Sequence, residues 1–173
     1  MTRKTFAHSA AIVLMAITLA ACSKTQPNTY GLGGPGRGGG EGPVTPGSER
    51  EFSVKVGDTV HFTVDSPDLT PEAQQTLAGQ AQWLNQYPNY AITIEGHADE
   101  RGTREYNIAL GAQRASAVKS YLSQRGVNPG RIRTLSYGKE RPVAVCADIS
   151  CWSQNRRAVT VLGRGGGGPV ASY

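Results

Sequence analysis

The sequence predicts an α+β domain over residues 51–163, a small sheet with helices packed on one face and its elements in the order βαβαββ. Three observations predict it. Residues 90–95, Tyr-Ala-Ile-Thr-Ile-Glu, alternate as a half-buried strand does and are closed by Gly96. Two stretches that open at Thr70 and Thr103 carry helix caps and helical spacing. Two further β-rich runs, 132–137 and 158–162, follow the second helix. A segment of roughly 110 residues buries an adequate core, and nothing indicates a second domain.

In chain order, Phe52, Val54 and Val56 alternate, as do Val60, Phe62 and Val64. Residues 51–56 and 59–64 therefore read as strands, with Gly57-Asp58 placed to close a hairpin or the first run serving as an edge extension. Thr70 is the N-cap and Pro71 the first residue of a helix that Pro88 ends. Ala73, Leu77, Ala81 and Leu84 form its apolar stripe, which Trp83 and Tyr87 broaden as core residues. Beyond the central strand, residues 97–102 make a charged turn, and a helix runs from the Thr103 cap to near Gly126. Residues 127–131 turn the chain into the third strand, Gly138 closes it, and a loop over 139–155 leads to the last strand.

The flanks differ in composition. Residues 1–21 place Arg3 and Lys4 before an apolar run that is too short to span ~30 Å of hydrocarbon, the pattern of an export signal. It ends Leu19-Ala20-Ala21-Cys22, which resembles a bacterial lipobox, and that resemblance implies lipidation of Cys22; the alternative is a plain secretory signal. Several acyl chains anchor firmly where one is marginal. Ser23 does not resemble the Asp of an inner-membrane retention signal, so the outer membrane is expected, with the domain facing the periplasm. Residues 22–50, rich in Gly and Pro, read as a disordered tether spanning ~30 Å as a flexible coil, and residues 164–173 as a disordered tail.

Charge excludes one class of partner. The chain carries +5 overall, but residues 51–163 hold 12 Lys and Arg against 11 Asp and Glu, with no basic stripe interleaved with aromatics. No nucleic acid is expected. Arg131, Arg133, Lys139 and Arg141 read as a solvated edge. Cys146 and Cys151, five apart in a loop, can close a small disulfide in an oxidising compartment, and an isolated pair is weak as a metal site.

The chemistry gathers between the central strand and the second helix. Asn107, Gly111 and Arg114 fall at i, i+4 and i+7 and project from one side of that helix, with Asp99 in the loop before it. Together they suit a zwitterion: Arg114 offers a planar fork of donors to a carboxylate and Asp99 offers acceptors to an ammonium. The alternative is an internal salt bridge between the two, tying loop to helix.

The wording GHADERGTREYNIALGAQRA, with NRR at 155–157, resembles the OmpA-like peptidoglycan-binding domain, and its lipid-anchored members most of all, over roughly residues 51–162. The resemblance implies that Asp99 and Arg114 hold the amino and carboxylate groups of meso-diaminopimelate in the peptidoglycan stem peptide. It implies that Asn107 and Leu110 line the same pocket, with His97 beside them, and that Asp65 aligns with a further ligand-facing position. There the chain departs from the usual FDFDK-like wording, reading Thr63-Val64-Asp65-Ser66-Pro67. The resemblance further implies partnership with the periplasmic TolB propeller and other Tol proteins, a role in constriction at cell division, and no cofactor beyond the lipid.

Three other readings are weaker. A wall-cleaving enzyme would need His97, Asp99 and Glu100 as metal ligands or acid-base groups, but no HExxH, second histidine at ligand spacing or G-x-S-x-G accompanies them. A protein-interaction module would need none of the zwitterion-reading geometry. A flagellar stator subunit carrying the same domain would require a transmembrane helix that the sequence does not contain.

Overall fold

Among the described residues, four strands form one sheet in the order β1-β4-β2-β3. The computed structural model describes residues 44–164; the export signal, Cys22, the tether up to residue 43 and the tail from residue 165 lie outside the described residues. The elements are β1 (Thr59–His61), α2 (Pro71–Gln86), β2 (Tyr90–His97), α3 (Arg104–Gln124), β3 (Ile132–Gly138), α4 (Ile149–Asn155) and β4 (Arg157–Arg164), preceded by a short helix α1 (Glu49–Glu51). The α3 crossover lets β2 and β3 pair in parallel from Ile92↔Ile132 onward, and β4 pairs antiparallel with β2 and β1.

The helices form where the caps place them. Thr70 accepts from the Ala73 N–H and Thr103 from the Tyr106 N–H, satisfying donors that would otherwise face no partner. Past α3, Gly126 takes φ +91°, a conformation other residues adopt at a cost. Ala73, Leu77, Ala81 and Leu84 of α2 are all buried, and they share one core with Ile92 and Ile94 of β2 and with Val118 and Leu122 of α3. Ile92 and Ile94 point to the same side of the sheet, so both helices cover that face. Each such side chain stabilises by about 1.5–3 kcal/mol when fully buried.

Four expectations need correction. Residues 51–56 are helical: Ser48 caps α1, which widens into a π-helical turn over Phe52–Val56. Phe52 and Val56 satisfy an i, i+4 helical pair as well as they satisfy alternation, and burial decides between the two, with Phe52 1% exposed and Val54 64% exposed. Phe52 instead packs on Trp83, ring centres 5.0 Å apart. Residues 44–50, expected to belong to the tether, also join the folded domain. Gly47 accepts from the Tyr90 hydroxyl at 2.7 Å, and Glu51 accepts from the Gly47 N–H at 2.8 Å and the Trp83 indole at 3.1 Å.

The loop over 139–155 holds a helix, α4, capped by Asp148, and Cys151 of that helix is joined to Cys146 in a disulfide. Finally, the basic group is not a uniform solvated edge. Arg131 donates to the carbonyls of Tyr90, Leu84 and Tyr87, closing the C-terminal end of α2 where carbonyls lack helical partners. Lys139 bridges two carbonyls of the 98–102 loop, while Arg133 is exposed.

Closest approach between α3 and the sheet occurs at two glycines. A methyl group at Gly96 would overlap the Gly111 carbonyl, and one at Gly111 would lie 2.9 Å from the Gly96 oxygen. Gly96→Ala and Gly111→Ala should each lower the urea unfolding free energy by about 1–3 kcal/mol, because backbone must move. Gly79→Ala, in the middle of α2 with its nearest neighbour at 3.7 Å, should instead stabilise by about 0.4–1 kcal/mol. A comparison of the three midpoints checks the contact.

Candidate functional site

The loop between β2 and α3 is fixed from several sides. Ala98 N–H donates to the Gly138 carbonyl at 2.8 Å, tying the end of β2 to the end of β3. Asn107, buried on α3, donates its amide to the carbonyls of Arg101 (2.8 Å) and Thr103 (3.0 Å). Lys139 Nζ donates to the Gly102 carbonyl at 2.7 Å and to that of Glu100 at 3.3 Å. This places Asp99 at one side of a cleft of about 280 Å³ lined also by Asp65, Arg101, Tyr106, Asn107, Leu110 and Arg114.

Arg114 has no exposed surface, yet its guanidinium borders the cleft. Its Nε donates to the Ser66 carbonyl (3.0 Å), Nη1 to that of His97 (2.8 Å) and Nη2 to that of Thr63 (3.0 Å), over the Phe62 ring. A guanidinium carries five N–H donors. These three bonds use the Nε donor and one donor on each terminal nitrogen. Burial pulls the Arg114 pKa down, the nearby Arg156 charge adds to this, and Asp99 and Asp65 oppose it; the result is about 10, so the group stays charged at neutral pH.

Asp99 is 7% exposed. Burial alone would raise its pKa, but hydrogen bonds from Arg101 and Arg156 outweigh that and hold it below the ordinary carboxylate range. Its ion-pair partners are Arg101 at 2.6 Å and Arg156 at 3.2 Å. The internal salt bridge that the sequence allows between Asp99 and Arg114 is therefore not the one formed. Both charges face one cleft, each held by other groups.

Of the sequence-predicted site residues, Asp99, Arg114, Asn107, Leu110 and Asp65 come together. Asp65 stands at φ +56° and accepts from the Tyr106 hydroxyl across the cleft. His97 does not line the cleft. Its ring stacks on Tyr137 with centres 5.5 Å apart and lies 4.0 Å from Glu95, and it reaches Arg114 through its main-chain carbonyl. The residues that sequence reasoning missed are Arg101, Tyr106 and Arg156. Tyr106 sits one turn before Leu110 on α3, a spacing that was available; Arg156 lies 57 positions from Asp99, and only its place in the NRR wording marked it. A larger groove of about 430 Å³ against α2 is lined by Lys55 and glutamines and brings no opposite charges together.

Among the described residues, no three His, Cys, Asp or Glu side chains converge as metal ligands would, and no helix is long and apolar enough to cross a membrane. The OmpA family model matches residues 61–157. A peptidoglycan-associated lipoprotein of Agrobacterium fabrum is 58% identical over 164 residues, 92% of this chain and 91% of that one. That of Rhizobium meliloti is 60% identical over 156 residues, 89% of this chain and 86% of its own. Among solved structures, the peptidoglycan-associated lipoprotein from Burkholderia pseudomallei superposes with a TM-score of 0.60 at 44% identity, covering 61% of this chain and 90% of that one. The C-terminal domain of Helicobacter pylori MotB, at 24% identity and a TM-score of 0.58, shares the fold. The chain therefore belongs to the OmpA family and, within it, to the peptidoglycan-associated lipoproteins.

Proposed function

We propose that the chain is a non-catalytic tether: lipid on Cys22 holds it in the outer membrane, and its domain, on the periplasmic side, reversibly binds the meso-diaminopimelate of peptidoglycan stem peptides. The observation that carries this reading is the convergence of the Asp99 carboxylate and the Arg114 guanidinium on one cleft. A diaminopimelate centre that is not crosslinked presents an ammonium and a carboxylate together. Asp99 would take the first, the two remaining N–H groups of Arg114 the second, and Leu110 would pack on the methylenes. The names of the relatives support a lipoprotein that associates with peptidoglycan. Partnership with TolB and the other proteins of the Tol-Pal system, and a role in envelope integrity and constriction at division, rest on the resemblance.

A wall hydrolase is the weaker reading. A general acid needs a carboxyl raised toward neutral pH, whereas arginines hold Asp99 below the ordinary range. The His97 ring is turned away from the cleft, against Tyr137. Neither group is placed to move a proton on a ligand there.

Binding of the mature protein to purified sacculi tests the proposal. Asp99→Asn should abolish or strongly weaken retention on diaminopimelate-type peptidoglycan. Arg114 is better tested from the ligand side, since its substitution also strips three backbone carbonyls of their donor. Lysine-type stems, which lack the second carboxylate, should bind about 1–3 kcal/mol more weakly. Equal retention on both wall types would overturn the reading, and no retention of the wild-type protein would favour a protein-interaction role.

The pH profile is a separate check. Asp99 is ionised above its lowered pKa and Arg114 is charged below about 10, so affinity should be flat from about pH 5 to 8. Protonating Asp99 removes the acceptor for the ammonium. Affinity should therefore fall on acidification only below the ordinary carboxylate range, as measured by titration calorimetry with a soluble stem peptide.

A further inference from the structure

Asp99 has no acceptor site to spare. Its Oδ1 takes the Arg101 main-chain N–H at 3.2 Å and Arg101 Nε at 3.1 Å, and its Oδ2 takes Arg101 Nη2 at 2.6 Å and Arg156 Nη1 at 3.2 Å. A carboxylate offers about four lone-pair sites. A ligand ammonium can pair with Asp99 only if one of these donors leaves.

Two of the donors are fixed. Arg156 is buried and also donates Nε to the Phe62 carbonyl at 3.1 Å. The Arg101 main chain is pinned by Asn107 at its carbonyl and by Lys139 at the carbonyls of both neighbours, Glu100 and Gly102. The Arg101 guanidinium is different, because its side chain is 43% exposed and lies 4.3 Å above the centre of the Trp152 ring. Trp152 is itself held, its indole N–H donating to Glu100 and its neighbour Cys151 joined to Cys146. An aromatic face attracts a guanidinium whether or not a carboxylate is also engaged.

We propose that the Arg101 side chain is an internal competitor for the ligand ammonium, pairing with Asp99 until a ligand cation displaces it, and remaining over the Trp152 face once displaced. This deepens the reading of the cleft given above and rests on it. The motion is a side-chain swing, since the main chain on both sides is bonded. Affinity is then reduced by the fraction of protein in which Asp99 is already paired. Only a ligand group that carries positive charge recovers the lost ion pair, so the arrangement favours a free ammonium over an acylated amine.

The experiment is titration calorimetry of the mature protein with two soluble probes: a stem tripeptide ending in meso-diaminopimelate, and the same tripeptide lacking the terminal amine. Arg101→Gln should tighten the ammonium-bearing probe about three- to thirty-fold and leave the des-amino probe unchanged or weaker. Arg101→Lys, which keeps the charge but loses the fork, should fall between wild type and Arg101→Gln. Unchanged or weaker binding of the ammonium-bearing probe by Arg101→Gln, an equal gain for both probes, or Arg101→Lys matching wild type would each overturn the proposal. Asp99→Asn separates the two levels: if it weakens wild-type binding while Arg101→Gln gives no gain, only the competitor fails. If Asp99→Asn has no effect, the reading of the cleft fails and takes the competitor with it.

Discussion

A fully buried guanidinium has to be compensated where it sits, and Arg114 is compensated by main chain. Its three hydrogen bonds end on carbonyls of Thr63, Ser66 and His97, the first two in the segment after β1 and the third at the end of β2. Isolated burial of such a charge is prohibitive. Each carbonyl bond therefore fixes the backbone that supplies it, and the one side chain sets the spacing between α3, β2 and the 63–66 segment. These are the walls of the cleft. The same bonds that make the cation tolerable in the interior hold it in a rigid frame, and on the proposed reading that frame is the preorganisation a ligand carboxylate would need.

That frame depends in turn on how near α3 comes to the sheet. Gly96 and Gly111 meet backbone to backbone, and Ser136 fills the remaining space by donating its hydroxyl to the Ile108 carbonyl at 2.7 Å. Asn107, Gly111 and Arg114 lie on the side of α3 that makes this approach. Shortening the distance between helix and strand is what lets Asn107 reach the loop carbonyls and Arg114 reach His97. Small residues at the contact and large polar ones on either side of it are thus parts of one arrangement.

Much of what the sequence disclosed was decided locally. Thr70 and Thr103 mark their helices because a cap acts within three residues, and the alternation of β2 marks a strand for the same reason. The spacing of Asn107, Gly111 and Arg114 already put one side of α3 together, with Asn107 and Arg114 lining the cleft. Residues 51–56 misled because Phe52 and Val56 fit two periods at once, and only packing against Trp83 chooses. Gln80, Arg131 and Arg156 were invisible for another reason. Gln80 joins the Gly57 carbonyl to the Thr160 hydroxyl, partners 23 and 80 positions away, and the Arg156 bond to Asp99 spans 57. No pattern within one element encodes such pairs. The cleft's opposite charges were legible, but the arginines that already occupy Asp99 were not.

The end of the tether has a mechanical consequence on the same reading. Gly47 is bonded to the hydroxyl of Tyr90, the first residue of β2, while His97, the last, supplies a carbonyl to Arg114. Under a pull from a membrane anchor, this bond ties the start of the domain to one end of the strand whose other end borders the cleft, beside the covalent path through α1 to β1. β2 is an interior strand, paired with β3 on one side and β4 on the other. Load directed along it is opposed by ladder hydrogen bonds on both edges acting together, where an edge strand has only one row to resist with. Load that follows the covalent chain instead reaches β1, an edge strand with a single row of ladder bonds. The helical turn over Phe52–Val56, packed on Trp83, shares that load with α2 before it arrives there.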